Sequence, residues 1–253
     1  MKKTYGSFIT IFMLFIIWVL ASLIVDNAII MPSPYATFKA FFAIFTHSEG
    51  IEVIAMTLFR LLIALFFATA SGVLLGVVSG LNPPLRLALR PVVTLLRTVP
   101  VISIVVILLI VFGFSLTPYL ITFLMIFPLI FQTISDGIEN LDKELVDVFK
   151  LEDNDPMDAI RYCYLPLIGP QIKTAMLQAA GLGIKVLVMA EYLAQTKDSV
   201  GNALYLAKVN LNYDEVFAWT LFLILLAVVL EHFIRRFSNL KPSTLHSDVF
   251  SRE

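Results

Sequence analysis

The sequence predicts an all-α integral membrane protein with about six transmembrane helices in a single domain spanning residues 1–253. Three observations carry this. Apolar residues make up 59% of the chain and charged residues only 15%, against about 45–50% and about 25% in a soluble domain, and mean hydropathy is +0.90. The apolar residues gather in runs close to the ~20 residues that cross a hydrocarbon core. Lys and Arg cluster in the short segments between these runs, so the net charge of -1 says little about any one surface.

Taken in order, the first span is Phe8 to Val25. The leading "MKKTYGS" resembles the start of a secretion signal, but the run behind it is long enough to span and has no convincing small-residue cleavage site, which predicts a retained helix. After the turn "MPSP", residues Tyr35 to Phe45 place Phe38, Phe41, Phe42 and Phe45 at helical spacing and predict an interfacial helix. The second span, Met56 to Leu81, carries a small residue at every fourth position: Ala64, Ala68, Gly72, Gly76 and Gly80. Small-xxx-small spacing lets another helix approach closely, since association in lipid relies on van der Waals contact. Val92 to Phe112 is the third span, interrupted by Arg97 and Pro100, and Tyr119 to Ile134 the fourth, with Pro128 inside it. A polar loop, 135–170, leads to the fifth span, Ile172 to Ala194, which Gly169-Pro170 opens and which holds Lys185. "SVGNALYLAKVNL", Ser199 to Leu211, reads as a second interfacial helix before the sixth span, Val216 to Ile234, and the tail 235–253 ends in the loose "PSTLHSDVFSRE". No internal repeat or low-complexity segment is evident.

Orientation follows from the Lys/Arg bias of the loops. Lys2 and Lys3, Arg86 and Arg90, Lys143, Lys150 and Arg161, and Arg235, Arg236, Lys241 and Arg252 all fall on one side, whereas the opposite loops hold Lys39, Lys197 and Lys208. Both termini and the loop 135–170 are therefore expected on the cytoplasmic side.

Several function classes recede. The single cysteine, Cys163, forms no intramolecular disulfide; His47, His232 and His246 are scattered without metal-ligand spacing; no G-x-x-x-x-G-K-[ST] phosphate loop occurs. Clustered His, Asp or Ser constellations of a membrane enzyme are also lacking. Attention falls instead on Arg60, Lys185 and Glu191, because a charge in an apolar run costs at least a few kcal/mol unless it is paired or wetted. Lys185, mid-span in "GLGIKVLVMAEYL", suits a polar pathway for an anionic solute, and Glu191 and the break at Pro100 are candidates for the same pathway. A structural ion pair is the competing reading, stronger for Arg60 and Glu191, which lie nearer the outer surface.

The loop contains a second candidate. In "DPMDAIRYCYLP", Asp155 suits an N-cap, Pro156 the first helical position and Asp158 the third, which predicts a short helix ending near Leu165 because Pro166 disfavours helical geometry before it. Met157, Ile160 and Tyr164 then share one face, while Asp158 and Arg161 project elsewhere. A stiff exposed helix with an apolar knob is a natural peg for a partner's groove.

"PVVTLLRTVPVISIVVILLIVFG", "FLMIFPLIFQTISDGIENLDKELVDVFKL", "RYCYLP", "GLGIKVLVMAEYL" and "SVGNALYLAKVNLNYDEVFAWTLFLILL" together resemble the membrane subunits of bacterial ABC importers of the nitrate/sulfonate/taurine type, over nearly the whole chain. The resemblance implies the ABC importer permease (MetI-like) fold and a coupling helix, marked by a loop motif of roughly E-A-A, three residues, G, nine residues, I-x-L-P. Strict spacing back from Leu165-Pro166 puts Asp147 at the motif's Glu and Asp153 at its Gly. The alternative, preferred here, matches "ELVDVFKL" from Glu144 and inserts "EDN" at Glu152 to Asn154; in both the motif's Gly is absent. Carried over, the coupling helix comprises Pro156, Met157, Asp158, Ile160, Arg161, Tyr164, Leu165 and Pro166, with Glu144 and Asp155 before it.

The same resemblance implies a non-enzymatic subunit in the bacterial inner membrane. It would pair with a second copy, dock two ATPase subunits that hold ATP and Mg, and receive solute from an extracytoplasmic binding protein. No cofactor of its own and no nucleic-acid partner are implied. The alternative is a secondary carrier or channel driven by an ion gradient, with Lys185 and Glu191 as relays; it predicts an inverted repeat or more spans, and neither is found.

Overall fold

A computed structural model describes residues 2–27, 29–142 and 156–237 of the chain, and the regular structure among them is helical. Four helices are long and apolar enough to cross a membrane: α3 (Ser48–Leu81), α5 (Val101–Glu139), α7 (Gly169–Ala194) and α9 (Tyr213–Phe237). α1 (Lys2–Val25) contributes a shorter apolar stretch, Phe12–Val25. α2 (Pro34–Thr46), α4 (Pro83–Thr98) and α8 (Val200–Val209) are shorter than a span needs. So is α6, made of Pro156–Asp158, a π-helical Ala159–Tyr164 and Leu165–Leu167.

Local chemistry sets the helix starts. Ser33, Asn82 and Ser199 stand in extended conformation ahead of α2, α4 and α8, and each side chain accepts a hydrogen bond from the amide three residues on, that of Ala36, Leu85 and Asn202. Pro34 and Pro83 occupy the first helical position, where a missing donor costs nothing. The prolines inside α5 are a different matter, because each frees a carbonyl four residues back. For Pro118 that carbonyl belongs to Phe114, and the Thr196 hydroxyl donates to it at 2.9 Å.

Packing is organised along α3. Gly72, Gly76 and Gly80 face Ile130, Ile134 and Ile138 of α5 turn for turn. A Cβ on Gly72 would lie 2.9 Å from Ile130 Cγ2 and one on Gly80 2.8 Å from Ile138 Cβ, so only a hydrogen fits. Ala68 joins the same apolar cluster and Ala64 is buried one turn above it. Ala64, Ala68, Gly72 and Gly76 are thus buried and Gly80 half-buried, and the three glycines meet a helix of the same chain. α7 runs in the opposite direction against this pair: Gly183 faces Leu61 and Ile126, and Ile168 lies over Gly137. The end of the bundle holding Asn82, Asn140 and Ile168 is called the lower end, and that holding α2, Gly113 and α8 the upper end.

At the upper end, Ile44, Val200, Ala218, Trp219 and Phe222 enclose Leu61, Ile184 and Leu187. α1 is attached by Trp18, which stacks on Phe217 at 6.0 Å and donates its indole N–H to the Pro32 carbonyl at 3.2 Å. Elsewhere large apolar side chains stay exposed, among them Phe59, Leu62, Phe66 and Phe67 on α3 and Ile224, Val228 and Val229 on α9, as suits surfaces that meet lipid.

The third predicted span requires correction. It is not one helix from residue 92: α4 ends at Thr98, Val99 and Pro100 are extended, and α5 begins at Val101. The sequence reading marked Pro100 as an interruption inside one span; in the structure it is a boundary between two helices, because a proline disfavours helical geometry in the residue before it. α5 in turn continues through the predicted loop after residue 112, broken only at Gly113, where φ is 75° and ψ is -174°. There the chain doubles back. Val105 and Leu108 of the first arm pack in one cluster with Ile121 of the second, and Arg97, just before the first arm, donates to Gln132. At 1.5 Å per residue, an unbroken helix would hold these positions tens of ångströms apart. Arg86 likewise pairs with Glu139 at 2.7 Å, so α4 lies along the lower part of the second arm.

The glycine ladder can be tested directly. Gly80→Ala is expected to destabilise the protein by about 1–3 kcal/mol through overpacking, read as a lowered thermal midpoint in detergent.

Candidate functional site

Three regions carry the residues singled out by sequence. The first is α6, at the lower end. Ala159, Cys163 and Tyr164 are buried there in a cluster with Ile134, Ile138, Ile168 and Val77, so one side of the segment is seated on α3, α5 and the start of α7. Met157, 68% exposed, Arg161 and Tyr162 face outward, the Arg161 guanidinium lying 5.5 Å from the centre of the Tyr162 ring. Pro156 begins the helix and Asp158 lies in its first turn. Glu144 and Asp155 fall outside the described residues.

Two expectations for this segment are corrected. The helix does not end at Leu165, whose backbone is helical at φ -63° and ψ -42°; it runs through Pro166 to Leu167 and breaks at Ile168. Wider π geometry, with the Leu165 amide bonded to the Ile160 carbonyl, relieves the clash a proline ring makes with the carbonyl four residues back. It also changes which residues share a face. An α-helix advances 100° per residue and a π-turn roughly 80°, so over Ala159–Tyr164 the phase slips by roughly a quarter of a turn. Met157 and Tyr164 therefore part company: Met157 is exposed, Tyr164 buried and Ile160 half-buried.

The second region is a buried polar knot at the upper end. Glu191 of α7 is 0% exposed and Arg60 of α3 6%. Glu191 Oε1 accepts from Arg60 Nη1 at 3.1 Å, both carboxylate oxygens accept from Thr57 Oγ1 at 3.1 and 3.0 Å, and Oε2 accepts from the Gly201 amide at 3.3 Å. Arg60 also donates to the carbonyls of Asp198 at 2.9 Å and Lys197 at 3.1 Å, and Thr57 Oγ1 accepts from the Val200 amide at 3.0 Å. The carboxylate thus sits against the amides of the first turn of α8, the positive end of its dipole. Gly201 makes this approach possible, for a Cβ there would lie 2.4 Å from Glu191 Cβ. Of the two readings the sequence offered for Glu191, a pathway role and a structural ion pair, this geometry is that of the ion pair: Glu191 lies in the packed interior and ties α3, α7 and α8 together.

The third region is the outer face of α7. This helix buries most of its surface, but Gln171, Thr174, Gln178, Leu182, Lys185 and Met189 are exposed. Their spacing of three or four residues makes them one stripe. Lys185 has no partner among the described residues. Below it, a groove of about 350 Å³ between α5 and α7 is lined by Thr133, Pro170, Gln171, Thr174, Ala175 and Gln178. Pro100 is exposed at the joint between α4 and α5, close to the Arg97–Gln132 contact. The sequence reading missed Gln171, Thr174 and Gln178, although three uncharged polar residues at helical spacing ahead of Lys185 were a signal that could have found them.

The family described as binding-protein-dependent transport system inner membrane component matches residues 72–240. Among curated proteins, the chain is 26% identical over 220 residues to the taurine transport system permease protein TauC of Escherichia coli (strain K12), covering 85% of this chain and 80% of that protein. It is 23% identical over 222 residues to the putative aliphatic sulfonates transport permease protein SsuC of Bacillus subtilis (strain 168), covering 87% and 80%.

Arg60 and Glu191 should behave as a unit. Arg60→Ala or Glu191→Ala alone leaves a buried charge unpaired and is expected to cost about 3–5 kcal/mol, whereas the double replacement by Met costs less than either. Thermal denaturation of the four purified proteins measures this.

Proposed function

This chain belongs to the family of binding-protein-dependent transport system inner membrane components, as an ABC importer permease of the nitrate/sulfonate/taurine type, and we propose that it forms the translocation pathway of an ATP-driven importer and is moved by a separate ATPase. The observation that carries the coupling half of this reading is the one-sided burial of α6: Ala159, Cys163 and Tyr164 are buried in the bundle while Met157, Arg161 and Tyr162 are exposed. A peg built this way passes a push from a soluble partner to α5 and α7 as a rigid-body displacement.

In this reading the lower end is cytoplasmic. Arg86, Arg90, Arg161 and Arg236 lie toward that end, in keeping with the positive-inside rule, and both termini are cytoplasmic if α1 crosses. Six crossings result when α1, α3, the pair α4 plus the first arm of α5, the second arm of α5, α7 and α9 each cross once. Two copies of this chain assemble, two ATPase subunits supply ATP and Mg, and an extracytoplasmic binding protein delivers solute to the upper end. The solute is a small anionic or polar organic molecule. Relatives named for taurine and aliphatic sulfonates and the exposed Lys185, unpaired among the described residues, both support an anionic group.

Two substitutions test the proposal. Met157→Asp combined with Tyr162→Asp is expected to lower recovery of the co-purifying ATPase by at least about tenfold, as loss of central contacts does, with membrane insertion intact; undiminished recovery would refute docking at α6. Lys185→Ala is expected to reduce ATP-driven uptake of an anionic solute by about tenfold, the low end of what a focused charge contributes, while leaving the complex assembled.

A further inference from the structure

The exposed stripe of α7 does not look like the lipid-facing stripes beside it. Over residues 55–81 of α3 and 221–230 of α9 the exposed residues are apolar, whereas this stripe carries Gln171, Thr174, Gln178 and Lys185 among its six members. Uncovered amides and an ammonium are not stable against hydrocarbon, so the stripe faces water. Its chemistry is also graded. Lys185 lies seven residues above Gln178, about 10 Å along the helix axis, and below it every polar group on the stripe is uncharged. There Thr133 of α5 joins Gln171, Thr174 and Gln178 around the groove of about 350 Å³, a size within the range of small-molecule sites. Gly181 opens the space between the two levels, for a Cβ on it would meet nothing within 4 Å.

We propose that the groove of Thr133, Gln171, Thr174 and Gln178 is a second, uncharged subsite that takes a small oxyanion, such as a sulfonate group, after Lys185 releases it toward the lower end. The inference rests on the importer reading for the role of Lys185. Each glutamine amide offers two donors. The Thr174 hydroxyl donates to the Pro170 carbonyl at 3.0 Å and can rotate to a better acceptor. A path lined with ammonium groups throughout would hold an anion too firmly to let it go; conduction needs sites attractive enough to enter and weak enough to leave. Neutral donors below a single cation provide that descent.

The test uses the full chain carrying Cys163→Ala, with single replacements Gln171→Cys, Thr174→Cys or Gln178→Cys, in sonicated membranes where reagent reaches both faces. The probes are methanethiosulfonate ethylsulfonate, itself a sulfonate anion, and its cationic trimethylammonium analogue. Val228→Cys on α9 is the lipid-facing control. The expected result is reaction of all three stripe cysteines with the anionic reagent about tenfold faster than the control and about tenfold faster than with the cation, reflecting electrostatic focusing by Lys185, with the preference for the anion lost in Lys185→Ala. Rates equal to the control, or no preference for the anion, would overturn the proposal. Labelling does not depend on uptake, so its failure is separable from failure of ATP-driven transport.

Discussion

Contact between α3 and the second arm of α5, at a separation only glycine allows, is the constraint on which the remaining packing depends. Within lipid, burying apolar surface brings little gain, because the tails are as apolar as leucine; helices adhere through shape. The ridge formed by Ile130, Ile134 and Ile138 fills the channel left by Gly72, Gly76 and Gly80. With those two helices fixed, Leu61 and Ile126 form the seat for Gly183 of α7, which buries that side of α7.

Two kinds of charged residue follow from this arrangement. Arg60 and Glu191 lie where α3 and α7 meet, and their burial is tolerable because every strong donor and acceptor in the knot finds a partner among Thr57, the loop carbonyls and the first amides of α8. Lys185 lies on the opposite condition: exposed, unpaired among the described residues and above a row of neutral hydrogen-bonding groups. Sequence alone treats both as a charge in an apolar run. Their surroundings divide them: Arg60 and Glu191 fasten three helices together, while Lys185 faces outward beside neutral polar groups.

Much of the architecture was legible because membrane spans are read from length and apolarity, which the chain displays openly in α3, α7 and α9. The glycine ladder was legible as a period of four, but its partner was not, since the facing isoleucines announce nothing in one dimension. An interruption at Pro100 could be read, though not that it ends one helix and begins the next, and the pairing of Arg60 with Glu191 joins residues 131 positions apart. For α6 the start at Pro156 could be read, yet its faces could not, because a π-turn around Pro166 changes the angular step that helical-wheel reasoning assumes constant. The candidate residues Glu144 and Asp155 lie outside the described part of the chain.

Gly113 has a consequence for how such a chain can vary over time. Its positive φ reverses α5 at a single residue, with no intervening loop to absorb a change in length. Inserting one residue ahead of it would rotate the first arm by about 100° relative to the second and swing Val105 and Leu108 away from Ile121. A change of side chain on either arm leaves this register intact, whereas lengthening or shortening one arm demands a compensating edit in the other, so the hairpin tolerates substitution better than any change in its length.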